Sequence, residues 1–309
     1  MKFRSLCLSA ATALSLAACQ SLPLGDWGNP PADPFPEWAE RKDAPFFPQE
    51  DYQCGPAALA TALGSAGIRR TPDELRDEVY IPARQGSLQP EMMAAARRSG
   101  AVAYRLAPEP RTLLKELAVG HPVVVLQNLR FDWAPEWHYA VAVGYDLSAR
   151  QIVLRSGREK RLVMDIDDFD RSWAKSGRWA FVALPPDQLP ATANEEDFVA
   201  AAVALERTTP LAAERAYRTA ASAWPHNLVA RIGLGNAAYR RGDKKAAETA
   251  FRQATADHPD SADAWNNLAQ ILHERGQGAA ARQAAERAVL IGGPRLPAYK
   301  RTLQLVSGG

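Results

Sequence analysis

The stretch 46-FFPQEDYQCGPAALATALGSAG-67 decides how the rest of the chain is read. Gly55 and Pro56 follow Cys54 directly, and Ala57 to Leu63 is strongly helical. Proline fits the first turn, where its missing N–H would have no helical partner. Gly67 suits the helix end. Cys54 therefore stands at a helix N-terminus, where the backbone dipole and free N–H groups favour a thiolate. Gly55 leaves space for a substrate to approach the backbone. On these residues alone two roles are open to Cys54, buried packing or a nucleophile.

The surroundings weight the second role. Gln49 lies five residues upstream, in a loop flanked by proline and aromatic residues. Its amide could join the Cys54 N–H in holding an oxyanion. Downstream, 137-WHYAVAVGY-145 puts His138 at the head of a strand. By alternation its face holds Ala140, Ala142 and Gly144, and the other face holds Tyr139, Val141, Val143 and Tyr145. The small face is expected to leave room for a helix end beside His138. Trp133, Trp137 and Gly86-Ser87 are candidate cleft borders.

Gln49…Cys54-Gly55-Pro56 followed by His138-Tyr139-Ala140-Val141 resembles the papain-like cysteine peptidases of family 39, over about residues 45 to 185. The resemblance implies a papain-like fold with a central N-terminal helix against a sheet. It implies Cys54 as nucleophile, His138 as proton carrier, and Gln49 with the Cys54 amide at the oxyanion. The family usually has Asp or Asn in the strand after the histidine strand, and this chain departs there. If 138–145 and 151–156 pair as a hairpin, Tyr145 faces Gln151 and Asp146 lies about 26 Å from His138 at roughly 3.3 Å per residue. Ser156 occupies the expected region and is the candidate orienting residue. Asp165, Asp167 and Asp168 come from the next strand and its exit, and one of them could reach in.

The chain has three cysteines, Cys7, Cys19 and Cys54. Its start, MKFRSLCLSAATALSLAAC, has a basic end, a short apolar run and small residues, which is a secretory pattern. Leu16-Ala17-Ala18-Cys19 resembles a bacterial lipobox. That implies cleavage before Cys19, lipidation of Cys19 and, with Gln20 next, an outer-membrane lipoprotein facing the periplasm. Cys54 would then have no disulfide partner in an oxidising compartment. The net charge is +2, with no basic block of the kind nucleic acid selects. No His, Cys or acid spacing points to a metal, and no cofactor motif is present.

The predicted organisation is a signal over 1–18, a lipidated proline-rich tether over 19–44, an α+β papain-like domain over 45–186, a linker over 187–196 and an all-α domain over 197–309. In the α+β part, helices are predicted at 55–66, 72–79, 89–99 and 110–118. Strands are predicted at 101–106, 122–128, 138–145, 151–156, 161–166 and 179–184. Helices first and strands after argue for an antiparallel sheet. Beyond the linker Pro225 and Pro259 are 34 apart, and Ala230, Leu234, Gly242 and Ala246 recur as Ala264, Leu268, Gly276 and Ala280. This period resembles the tetratricopeptide repeat, with three units over roughly 192 to 293 and a closing helix.

The reading is a lipid-anchored cysteine peptidase acting on a peptide or protein segment, its repeats recruiting a protein partner. The alternative is an adaptor lipoprotein whose peptidase-like domain only binds peptide. A third reading is another papain-like acyl transfer, such as an amidase acting on cell-wall peptides.

Overall fold

A computed structural model describes residues 24–28, 35–49 and 53–308. The predicted signal and the lipidation residue Cys19 lie outside them. The first half of the chain runs β1 (Trp38–Glu40), α1 (Cys54–Ser65), α2 (Pro72–Val79), β2 (Tyr80–Ile81), β3 (Gly86–Ser87), α3 (Gln89–Arg98), β4 (Val102–Arg105) and α4 (Pro110–Ala118). It continues with β5 (Val123–Asn128), β6 (Trp137–Asp146), β7 (Gln151–Ser156), β8 (Glu159–Asp165), α5 (Ile166–Ala174) and β9 (Ala180–Leu184). The helices form where their ends are specified. Thr71 caps α2 through its hydroxyl, and Glu74 reaches back to the Thr71 N–H at 2.9 Å. Gly67, at φ +75°, turns the chain away after α1.

Six strands pair antiparallel in the order β4-β9-β5-β6-β7-β8, and β1 joins β6 beyond the point where β5 stops. Both faces of the sheet are covered. Val124, Tyr139, Val141, Val143 and Phe181 pack with Leu59, Ala60 and Leu63 of α1, Leu75 of α2 and Met92 of α3. Val125, Ala140, Ala142, Leu154 and Val182 pack with Leu113 and Leu114 of α4 and Phe169 and Trp173 of α5.

Seven helices follow in antiparallel pairs. They are α6 (Glu195–Leu205), α7 (Pro210–Ala223), α8 (Leu228–Arg240), α9 (Lys244–Asp257), α10 (Ala262–Glu274), α11 (Gly278–Ile291) and the closing α12 (Leu296–Ser307). The 34-residue period is physical. Asn227 and Ser261 cap α8 and α10 alike, and Gly242 and Gly276 turn at φ +80° and +72°. Where the helices cross, only glycine fits. A Cβ on Gly233 would lie 2.5 Å from the Tyr217 ring, and one on Gly235 would lie 2.3 Å from Phe251. No helix of the described residues is long and apolar enough to cross a membrane.

Four expectations are corrected. Much of the stretch read as a tether packs onto the domain. Trp27 is buried against Phe169 and Trp173, Trp38–Glu40 pairs with β6, and Ala44 is in the core. Proline content hid these anchors because a three-residue strand and a single tryptophan leave no period. The exit of β8 is the helix α5, capped by Asp165. At the hairpin Tyr145 faces Ile152 and Asp146 faces Gln151, because a bulge at Val143 shifts the register by one. The bulge also moves Tyr145 to the core of Ala140 and Ala142.

The two halves share one core. Phe198, Val199, Ala202 and Leu205 of α6 join Val102 and Tyr104 of β4. The linker is fastened as well. Glu116 of α4, fully buried, accepts from the Thr192 N–H at 2.8 Å, the Thr192 hydroxyl at 2.6 Å and the Ala191 N–H at 3.1 Å. His121 Nδ1 lies 2.7 Å from the same carboxylate, and its Nε2 lies 2.6 Å from the Gln188 amide. Replacing Glu116 with Ala strands these donors in a dry site. It is expected to cost about 3 kcal/mol or more and to open residues 188–193 to protease. Denaturant melts and limited proteolysis check both.

Candidate active site

Cys54 opens α1, and α1 lies on the Tyr139, Val141 and Val143 face of β6. The row of small residues Ala57, Ala58, Ala60 and Ala62 lets the helix approach the sheet closely. The thiol thereby meets the start of β6. The backbone N–H groups of Tyr139, Gly55 and Cys54 itself all donate toward the sulfur. They hold a developing negative charge there, yet burial outweighs them and pushes the thiol above its ordinary range. The dipole argument from sequence named a real contribution, and desolvation is the larger one.

His138 belongs by alternation to the other face, with Ala140 and Ala142. The expectation that the small face receives the helix is therefore wrong. That face packs on α4 and α5, and the bulky face carries α1. His138 is part-buried, and its Nε2 lies 2.8 Å from Ser156 Oγ on β7. Burial pulls its imidazole below the ordinary histidine range, against the opposing charge of Glu136. Burial thus opposes charge on the thiol and on the imidazole alike.

Gln49 is half-buried, and its N–H donates to the Gly157 carbonyl at 3.1 Å. Its side-chain amide has no hydrogen-bond partner among the described residues. Gln49, Cys54 and His138 line one open cavity of about 1290 Å³, together with Gly86, Ser87 and Trp137. That volume exceeds an ordinary small-molecule pocket and suits an extended chain segment. Trp133 stands off this wall, exposed and stacked on Phe131 at 5.6 Å.

Two readings change here. The side of Gly55 read as open to substrate is filled from within. A Cβ there would sit 2.2 Å from Ser87 Oγ and 3.2 Å from the Met92 sulfur. Among the described residues Ser87 Oγ is buried without a partner, and the Ser87 carbonyl accepts from the Tyr139 hydroxyl at 3.2 Å. The acids of the next strand do not reach His138. Asp165 caps α5, Asp167 pairs with Arg150, and Asp168 pairs with Arg171 at 2.7 Å. Asp146 accepts from the Ala149 N–H in the hairpin turn. Among the described residues no cluster of three or more His, Cys, Asp or Glu is arranged to hold a metal.

Residues 41–181 match the Peptidase C39 like family, and residues 195–260 and 232–297 each match a tetratricopeptide repeat. The chain joins a C39-like peptidase domain to C-terminal tetratricopeptide repeats. Among solved structures it is similar to a putative C39-like peptidase from Bacillus anthracis, 18% identical with a TM-score of 0.42, over 48% of this chain and 98% of that one. It is also similar to MamA, 22% identical with a TM-score of 0.34, over 37% of this chain and 63% of that one. The chain thus spans less than two thirds of MamA. The type III secretion chaperone SycD of Yersinia enterocolitica, in complex with a peptide of the translocator YopD, is 13% identical with a TM-score of 0.34, over 36% of this chain and 91% of that one. No curated protein matches the sequence.

Both shifts have measurable consequences. The His138 imidazole is expected to titrate below about 6.5, its ordinary value. Ser156→Asp places a carboxylate beside it, favours the imidazolium and raises that titration. Alkylation of Cys54 requires the thiolate, so its rate is expected to rise only above about pH 8.5 in the resting protein. Imidazole NMR and a pH series of iodoacetamide labelling read the two groups separately.

Proposed function

We propose that the protein is a cysteine peptidase that cuts a peptide or protein segment held in this cleft. The observation that carries the reading is the meeting of three groups at one cavity: the Cys54 thiol under the Tyr139 amide, His138 held by Ser156, and the free amide of Gln49. In the reaction, Ser156 Oγ accepts from His138 Nε2–H, which leaves Nδ1 unprotonated as the base. The thiol attacks the scissile carbonyl as Nδ1 takes its proton. The oxyanion is held by the Gln49 amide and the Cys54 N–H. The imidazolium then returns the proton to the leaving amine, and water cleaves the thioester by the same route. In this reading the pair starts neutral, and charge appears only as the substrate reacts. The surrounding amides then stabilise the transition state more than the ground state.

The repeats supply a protein-binding surface beside this domain. We place the protein in the bacterial envelope, lipidated at Cys19 and facing the periplasm. This rests on the sequence Leu16-Ala17-Ala18-Cys19. Cys19→Ser is expected to move the protein from the membrane fraction to the soluble one.

A second reading, binding without turnover, is favoured by Ser156 standing where a carboxylate would orient the histidine more strongly. Incubation with a peptide library and mass spectrometry separates the two. Cleavage is expected from the parent protein and should fall about 10³-fold or more in Cys54→Ala and in His138→Ala. Intact peptides with the parent protein, or equal cleavage by all three, removes the peptidase reading.

A further inference from the structure

The charge lining the cleft is one-sided. Among the described residues its wall carries four cations, Arg84, Arg130, Arg158 and Lys175, against one carboxylate, Glu136. Two of the cations are already engaged. Arg130 pairs with Glu136. Lys175 donates to the Arg130 carbonyl and lies 4.0 Å from Asp132. Arg84 and Arg158 are different. Both are exposed, and neither has a hydrogen bond or ion pair among the described residues.

Their positions are set by the elements that build the site. Arg84 ends the short turn between β2 and β3, three residues before Ser87, whose hydroxyl lies over Gly55. The turn is held tightly, since Gln85 after it takes φ +47° without being glycine. Arg158 follows Gly157, whose carbonyl accepts from the Gln49 N–H. One guanidinium therefore stands on the wall beside the Cys54 helix start, and the other stands on the wall beside the proposed oxyanion donor. A segment lying across Cys54 occupies the cavity that both residues line. The chain as a whole is nearly neutral at +2. The cation excess is thus a property of the cleft and does not follow from the composition.

We infer that the segment this cleft receives is acidic, with Asp or Glu side chains flanking the point that meets Cys54, one toward Arg84 and one toward Arg158. The inference rests on the reading of this cavity as a peptide-binding cleft. An exposed ion pair contributes a factor of a few at most. Two pairs together favour an acidic segment over its neutral counterpart by about tenfold at low ionic strength, and added salt erases the preference.

The test separates binding from turnover. The protein carrying Cys54→Ala is titrated with three fluorescein-labelled peptides of one Ala/Ser/Leu sequence bearing four Glu, four Gln or four Lys. The Glu peptide is expected to bind about tenfold tighter than the Gln peptide at 20 mM salt, with the Lys peptide weakest, and the gap should close by about 500 mM. In the same protein with Arg84→Glu and Arg158→Glu the order is expected to invert. Glu50 and Asp51, outside the described residues, are common to both proteins and cancel in the comparison. Equal binding of the Glu and Gln peptides, no binding of the Glu peptide, or an order that survives the charge reversal overturns the inference. The parent protein is assayed in parallel for cleavage of the same peptides. Cleavage without charge preference sinks the acidic segment and keeps the peptidase. The predicted order of binding without cleavage keeps the acidic segment and sinks the peptidase.

Discussion

A strand buried on both sides must give each neighbour a different row of side chains, and β6 is that strand here. Tyr139, Val141 and Val143 face α1, while Ala140, Ala142 and, after the bulge, Tyr145 face α4 and α5. The rows are not interchangeable. The large row packs on Leu59, Ala60 and Leu63 of α1, and the small row admits helices carrying Leu113, Leu114, Phe169 and Trp173. Close packing of that kind leaves the thiol one place to go, under the peptide joining His138 to Tyr139. A slip of α1 by one residue would move Cys54 off that amide and press bulkier groups into the sheet.

The same packing sets the electrostatics. A site dry enough to raise the thiol and lower the imidazole penalises any isolated charge. A carboxylate at position 156 would have to be compensated by an imidazolium. A hydroxyl asks for no such partner and still fixes the ring. Ser156 thus agrees with a site that disfavours charge on the thiol and the imidazole. Among the described residues the arginines that line the cavity are exposed, where water screens them.

Much of this was written in local signals. The Thr71 capping box, the glycine after α1 and the repeated Asn227 and Ser261 caps each name their element without help from the rest of the fold. Ser156 was placed near His138 from a hairpin register that fails at the turn. The bulge at Val143 restores that register from Ala142 onward, so two errors of one residue cancelled. What sequence could not supply was partnership. Alternation separates two faces of β6 but not which core each serves, so the small face was matched to the wrong helix. Gly55 looked open because its filler, Ser87, comes from a hairpin 32 positions later. Asp165-Ile166-Asp167-Asp168 carried a helix start that the preceding strand concealed.

The join between the halves follows from one fully buried carboxylate and one apolar seam. Glu116 gathers the linker's donors because a buried acid must be satisfied from every side. Phe198 and Leu205, each worth about 1.5–3 kcal/mol when fully buried, extend the sheet's core into α6. Rotating the repeats away would expose both and unpair Glu116 together. The first repeat packs at the β4 edge of the sheet, through α6 on the α4 and α5 side and through the Thr209 hydroxyl on the Arg97 carbonyl at the end of α3. A protein held by the repeats is therefore held at a fixed offset from the cleft. A segment of that protein can reach Cys54 only if it is long enough to span that offset. Selection by reach would then add to the charge selection inferred for the cleft.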